Sequence, residues 1–160
     1  MPDLHPGIAP LASLIGTWAG EGHGEYPTIE PFSYLEEVTI GQAGKPFLTY
    51  SQRTRSPATG APMHAEVGYL RLPAPDRVEL VVAHPTGIAE IEEGTVSSVG
   101  NILVLELNST IVGLTASAKD VKALSRTFRL DGDELRYTVR MGAVGYVVQH
   151  HLSAILRRQP

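Results

Sequence analysis

From Gly16 to Tyr26 the chain alternates, with Thr17, Glu21, His23 and Glu25 on one side and Gly16, Trp18, Gly20, Gly22, Gly24 and Tyr26 on the other. That two-residue period is the mark of a half-buried strand. Pro27 interrupts it within the string that runs on to Thr28 and Ile29, and the rhythm resumes over Phe32–Ile40 and Phe47–Thr54. It continues through His64–Leu72, Arg77–His84, Gly87–Glu92 and Ile102–Leu107, each run bounded by Pro, Gly or Asn. Gly113–Val121 lacks the period and reads as a loop or short helical excursion. Ala123–Leu130, the Asp131-Gly132-Asp133 turn, Glu134–Met141 and Tyr146–Leu156 complete the series. Ahead of the first strand, Ala9, Leu11, Ala12, Leu14 and Ile15, with Pro10 near the start, suit one or two helical turns over Ile8–Ile15 that end at Gly16.

About ten short strands joined by tight turns, with no long helix between them, predict an all-β chain closed as an antiparallel up-and-down β-barrel with a short N-terminal helix. Barrel width grows with strand number, and about ten strands leave a cavity that eight would fill with side chains. Gly20, Gly22 and Gly24 stand at successive inward positions of the first strand. Glycine there weakens a strand and marks a bulge, a sharp bend, or a ligand lying against the backbone. The third reading makes the first strand one wall of a slot for something flat.

Composition narrows the field. The 160 residues fit one domain spanning 1–160, with no repeat and no linker. The absence of cysteine excludes disulfides and thiolate metal sites. The N-terminus carries no signal-peptide pattern and no stretch is long enough to span a bilayer, so the expectation is a cytoplasmic protein that does not engage membranes. With a formal charge of −4 and scattered Lys and Arg, nucleic acid is not an expected partner either.

Catalytic motifs of the nucleophile-elbow, zinc-protease, phosphate-loop and dinucleotide types are missing. Glu36, Glu37, Glu90, Glu92 and Glu93 supply carboxylates but no defined pair, and a solvated face is expected of them. His5 falls in a terminal segment expected to be mobile, and His23 on the polar side of its strand. His64 and His84 stand at strand ends, where solvated or backbone-bonded rings are expected. His150 and His151 are adjacent, so their side chains emerge on opposite faces. Parity does not choose between them, because Val147 and Ile155 share a side with His151 while Val148, Leu152, Ala154 and Leu156 share one with His150. Chemistry in such a chain falls to a cofactor.

The string Gly16-Thr17-Trp18-Ala19-Gly20-Glu21-Gly22, followed by Gly24-x-Tyr26-Pro27-Thr28-Ile29, resembles the signature of the nitrobindins, haem-carrying β-barrels similar in shape to fatty-acid-binding proteins and lipocalins. Phe32-x-Tyr34-Leu35-Glu36-Glu37, Gly44-Lys45-Pro46-Phe47-Leu48-x-Tyr50, Ala118-Lys119, and Met141 with His151-Leu152 resemble the family in the same order. The resemblance implies a haem b cofactor with His151 as axial ligand of the iron and His150 facing outward. It also implies Thr28 and Ile29 beside the distal face, Lys119 at a propionate, and Gly20 and Gly22 giving the porphyrin room. The activity it implies is isomerisation of peroxynitrite to nitrate on ferric haem, together with nitric oxide binding, by a monomer or homodimer. The barrel shape alone equally permits a carrier of an apolar small molecule, or an interaction domain with a filled interior.

Overall fold

The computed structural model describes residues 2–160. Ten strands follow an N-terminal 3₁₀ helix (Pro6–Leu14): β1 (Gly16–Tyr26), β2 (Ile29–Gln42), β3 (Phe47–Arg55), β4 (Pro62–Ala74), β5 (Arg77–His84), β6 (Ile88–Val99), β7 (Ile102–Leu114), β8 (Val121–Asp131), β9 (Glu134–Ala143) and β10 (Gln149–Arg158). Each pairs antiparallel with its sequence neighbours, and β10 closes on β1, so the sheet is the expected up-and-down barrel with no free edge.

The helix is 3₁₀ rather than α because its apolar side chains recur every three residues. Ile8, Leu11 and Leu14 are fully or almost fully buried, and a helix of three residues per turn stacks them on one face. That face plugs one end of the barrel. Trp18 Nε1 donates to Leu14 O at 2.9 Å, and the Arg158 guanidinium lies 4.3 Å from the Trp18 ring while donating to the Ile15 and Ser13 carbonyls. His5 is not loose: its Nδ1 accepts from Gly7 N at 3.0 Å and caps the helix.

Several boundaries differ from expectation. β6 and β7 run on to Val99 and Leu114, so Gly113 is in a strand and the loop shrinks to residues 115–120. β10 starts later than Tyr146, because Val144 and Gly145 turn the chain with φ of 47° and 86°.

The inward glycines of β1 make room for the barrel itself. A Cβ on Gly20 would strike the Ile155 carbonyl of β10, one on Gly22 the Tyr34 ring of β2, and one on Gly24 the Phe32 ring. Gly20 and Gly22 therefore face strand neighbours and do not line the cavity. This corrects the expectation that they border a bound porphyrin. Glycine serves here where another backbone or ring approaches closely. Accordingly, Gly22→Ala should cost about 1–3 kcal/mol through overpacking against Tyr34, measured as a lower urea midpoint with unchanged slope.

Candidate functional site

Alternation along ten paired strands sorts the interior into three levels. Next to the plug, Trp18, Ile40, Leu48, Leu70, Leu80, Leu105, Leu130, Leu135 and Leu156 form an apolar core. One or two inward positions further along β2, β3, β4, β8 and β9, and on β6, the side chains become polar: Glu36, Gln52, Glu66, Arg126 and Tyr137, with Glu90 and Glu92. Beyond them lies a cavity of about 830 Å³, within the range of small-molecule and cofactor sites. Val121, Leu124, Val139, Met141, Leu152 and Ile88 give it an apolar wall.

His151 enters this cavity through a β-bulge. On β9, Arg140 pairs with His150 and Val139 pairs with Leu152, which leaves His151 as the extra residue. The bulge lets His151 and Leu152 both line the cavity although they are adjacent in sequence, and it turns His150 to the surface, where its Nδ1 lies 3.0 Å from Glu25 Oε1. His151 Nδ1 donates to the Glu25 carbonyl oxygen at 2.9 Å. That bond fixes the tautomer and leaves Nε2 with an open lone pair. Tyr26 packs edge-on against the imidazole at 5.4 Å, and its hydroxyl accepts from Ala143 N at 2.9 Å, which holds both rings. Burial lowers the basicity of His151, and the nearby His150, His64 and Lys119 lower it further. The ring is thus neutral at neutral pH, the form that ligates a metal.

Thr28 and Ile29, at the β1–β2 turn, and Lys119, in the β7–β8 loop, line the same cavity. Lys119 is exposed and has no ion-pair partner among the described residues. The structure therefore brings His151, Lys119, Thr28 and Ile29 together at one mouth and leaves Gly20 and Gly22 outside it.

The polar level overturns the expectation of solvated acids. Glu37 and Glu93 do face outward, but Glu36, Glu90 and Glu92 are buried, as is Glu66. Arg126 binds Glu66 through two hydrogen bonds, of 2.8 and 3.2 Å, and also binds Glu90; its Nε lies 2.9 Å from Glu92 Oε2. Tyr50 donates to Glu66 at 2.6 Å. Gln52 and Tyr137 donate to Glu36 at 2.5 and 2.9 Å, and Tyr34 donates to Tyr137 at 2.7 Å. His64 and His84 also differ from the solvated or backbone-bonded rings expected of them. His84 Nε2 lies 2.8 Å from Glu90 Oε1, and His84 Nδ1 lies 3.1 Å from His64 Nε2.

Three carboxyl groups, Glu66, Glu90 and Glu92, thus share one guanidinium, and burial set against that charge decides which of the buried acids ionise. Burial opposes ionisation of Glu66 and Glu90, but Arg126 prevails, holding Glu66 well below the usual carboxylate range and Glu90 at about 2. Burial pushes Glu92 up to about 9, helped by the adjacent Glu90. Burial likewise raises Glu36 to about 7, against the bonds from Tyr137 and Gln52 that favour its carboxylate.

A closed barrel whose cavity is walled by apolar residues and met at its mouth by a tautomer-fixed imidazole has the form of a ligand-binding β-barrel, with one imidazole nitrogen left free to coordinate. The chain belongs to the family described as THAP4-like, heme-binding beta-barrel domain, whose pattern matches residues 7–158. It is 62% identical over 157 residues to peroxynitrite isomerase 2 of Mycobacterium marinum, covering 98% of each chain. It is 56% identical over 155 residues to the peroxynitrite isomerase of Nocardia farcinica, covering 97% of this chain and 92% of that one. The crystal structure of Rv2717c from M. tuberculosis superposes with a TM-score of 0.97 at 54% identity, over 99% of this chain and 100% of that one.

Because Glu36 and Glu92 keep protons that the unfolded chain releases near 4.5, the native state binds more protons above that pH. Stability should therefore fall as pH rises, from about 4.5 through about 7 for Glu36 and about 9 for Glu92, with a slope of up to about 1.4 kcal/mol per pH unit for each group. Urea denaturation at several pH values measures this. Glu92→Gln should flatten the decline above pH 7, whatever it does to absolute stability.

Proposed function

We propose that this chain holds haem b at the mouth of its barrel through His151 and isomerises peroxynitrite to nitrate, with nitric oxide as a second small ligand. The observation that carries the reading is the His151 ring, whose Nδ1 is committed to the Glu25 carbonyl while the side chain lines a largely apolar cavity. An apolar-ligand carrier has no use for an imidazole whose tautomer is fixed in this way. The high identity to relatives named peroxynitrite isomerase over nearly their full length supports the activity.

The residues fit the group. Bound there, haem would supply a Lewis-acidic ferric iron for a small anion or diatomic. His151 contributes its Nε2 lone pair and, through Glu25, a fixed ring orientation. Lys119 offers an ammonium at the rim for a propionate. Thr28 and Ile29 line the mouth, where they would flank a small anion, and Leu124, Val139 and Leu152 would keep water away from it. Isomerisation neither gains nor loses a proton overall, so no side-chain acid or base is required.

Haemin titration followed by absorbance tests the site. A Soret band should form with the unaltered chain and with His150→Ala, and should weaken by at least about tenfold in affinity with His151→Ala. The reverse order for the two histidines would overturn the assignment. Stopped-flow decay of peroxynitrite should accelerate in proportion to haem-loaded protein with the product shifted toward nitrate, and an unchanged decay would overturn the activity.

A further inference from the structure

The mouth histidine is not the only imidazole that the cavity sees. His64, from β4, and His84, at the end of β5, line the same cavity together with Glu66 of β4. Their facing atoms form a compact triangle. His64 Nε2 and His84 Nδ1 are 3.1 Å apart, His84 Nδ1 and Glu66 Oε2 are 3.3 Å apart, and His64 Nε2 and Glu66 Oε2 are 3.7 Å apart. We infer that His64, Glu66 and His84 form a binding site for a divalent first-row transition metal ion, separate from the axial ligand His151.

The spacing is what such an ion needs. Ligand distances of 2.0–2.1 Å in a tetrahedral site place any two donors about 3.3–3.4 Å apart, and the three observed edges bracket that value. The donor set of two imidazoles and one carboxylate suits zinc, iron or copper rather than calcium or magnesium, which prefer oxygen. All three donors line the cavity, which would leave a fourth coordination position to water or a small ligand.

Supporting contacts orient the donors as they do around known metal ligands. Glu90 is buried and lies 2.8 Å from His84 Nε2, so that nitrogen carries the proton and Nδ1 presents its lone pair to the triangle. Glu66 is steadied through Oε1 by Tyr50 and by Arg126 Nη1. Its Oε2 is left to the triangle and to one longer contact of 3.2 Å from Arg126 Nη2.

Without a metal ion or an added proton the arrangement is unbalanced. A neutral imidazole has one N–H, yet His84 meets a carboxylate oxygen at both nitrogens. On the scale of the whole level, ionised Glu66 and Glu90 face the single guanidinium of Arg126, so the level carries an excess of negative charge that favours a cation. His64 is the ligand nearest to solvent, with 35% of its side chain exposed, which gives the ion a path in.

The full chain, stripped with chelator and free of haem, makes the test independent of the haem reading. Co²⁺ should bind at one ion per chain with the intense visible bands of four- or five-coordination, and Zn²⁺ should displace it. His64→Ala, and separately His84→Ala, should weaken binding by more than about 100-fold, and Glu90→Gln by about 10–100-fold, the usual cost of losing an outer partner. His64→Ala alters a partly exposed side chain, so an unchanged thermal midpoint without metal will show that it folds. Zn²⁺ should raise that midpoint in the unaltered chain and not in His64→Ala. Absence of Co²⁺ uptake, uptake retained in His64→Ala, or uptake lost in His151→Ala instead would each overturn the site.

Discussion

The interaction on which the interior depends is the Arg126 guanidinium reaching from β8 to carboxylates on β4 and β6. In ring order β4 and β8 are four strands apart, so the contact crosses the lumen instead of running along the wall. A ten-stranded barrel is too wide for side chains to fill, and a purely apolar interior would gain by collapsing inward. Charged groups removed from water resist that collapse, because Arg126, Glu66 and Glu90 keep their low energy only while each remains against the others. The strut separates the packed core from the cavity and fixes how deep a ligand can sit.

The second constraint is one inserted residue. Strict alternation along β10 would carry His150 inward with Ala154 and Leu156, and His151 outward with Ile155. The bulge at His151 reverses this for the histidine pair while leaving the rest of the strand in phase. It also brings the ring within reach of the Glu25 carbonyl at the end of β1, where the β1–β2 register shifts between Gly24 and Tyr26. Two irregularities on neighbouring strands thus supply the two halves of one hydrogen bond. Regular pairing on both strands would have spent that carbonyl on a ladder and turned the imidazole to solvent.

Much of this was legible in the chain. The two-residue period named ten strands and their closure, and the resemblance chose His151 where parity could not. The bulge was invisible because a single extra residue leaves no periodic trace. The polar level, by contrast, has a periodic trace. Glu66 is in phase with Leu70, Gln52 with Leu48, Arg126 with Phe128 and Leu130, and His84 with Val78, Leu80 and Val82. Each lies on the buried side of its own strand. The general rule that Glu and Arg stay in water outweighed that phase, and it fails where several of them satisfy one another. The glycines of β1 erred in the other direction: the space they leave is real, but rings and a carbonyl from adjacent strands occupy it, and sequence spacing cannot say which neighbour arrives.

The three levels also impose a direction on charge. At the waist, ionised Glu66 and Glu90 outnumber Arg126, and the low-dielectric walls around them let that excess act over distance. At the rim stands the exposed ammonium of Lys119, with the uncharged Val121, Leu124 and Leu152 between. An anion meets attraction at the mouth and rising repulsion as it descends, whereas a cation meets the opposite gradient. Depth in the cavity is therefore electrostatically unfavourable for a small anion relative to the rim. The acids that keep the barrel open are the same groups that keep anions shallow, so the strut and the selectivity of the cavity are one property of the sequence.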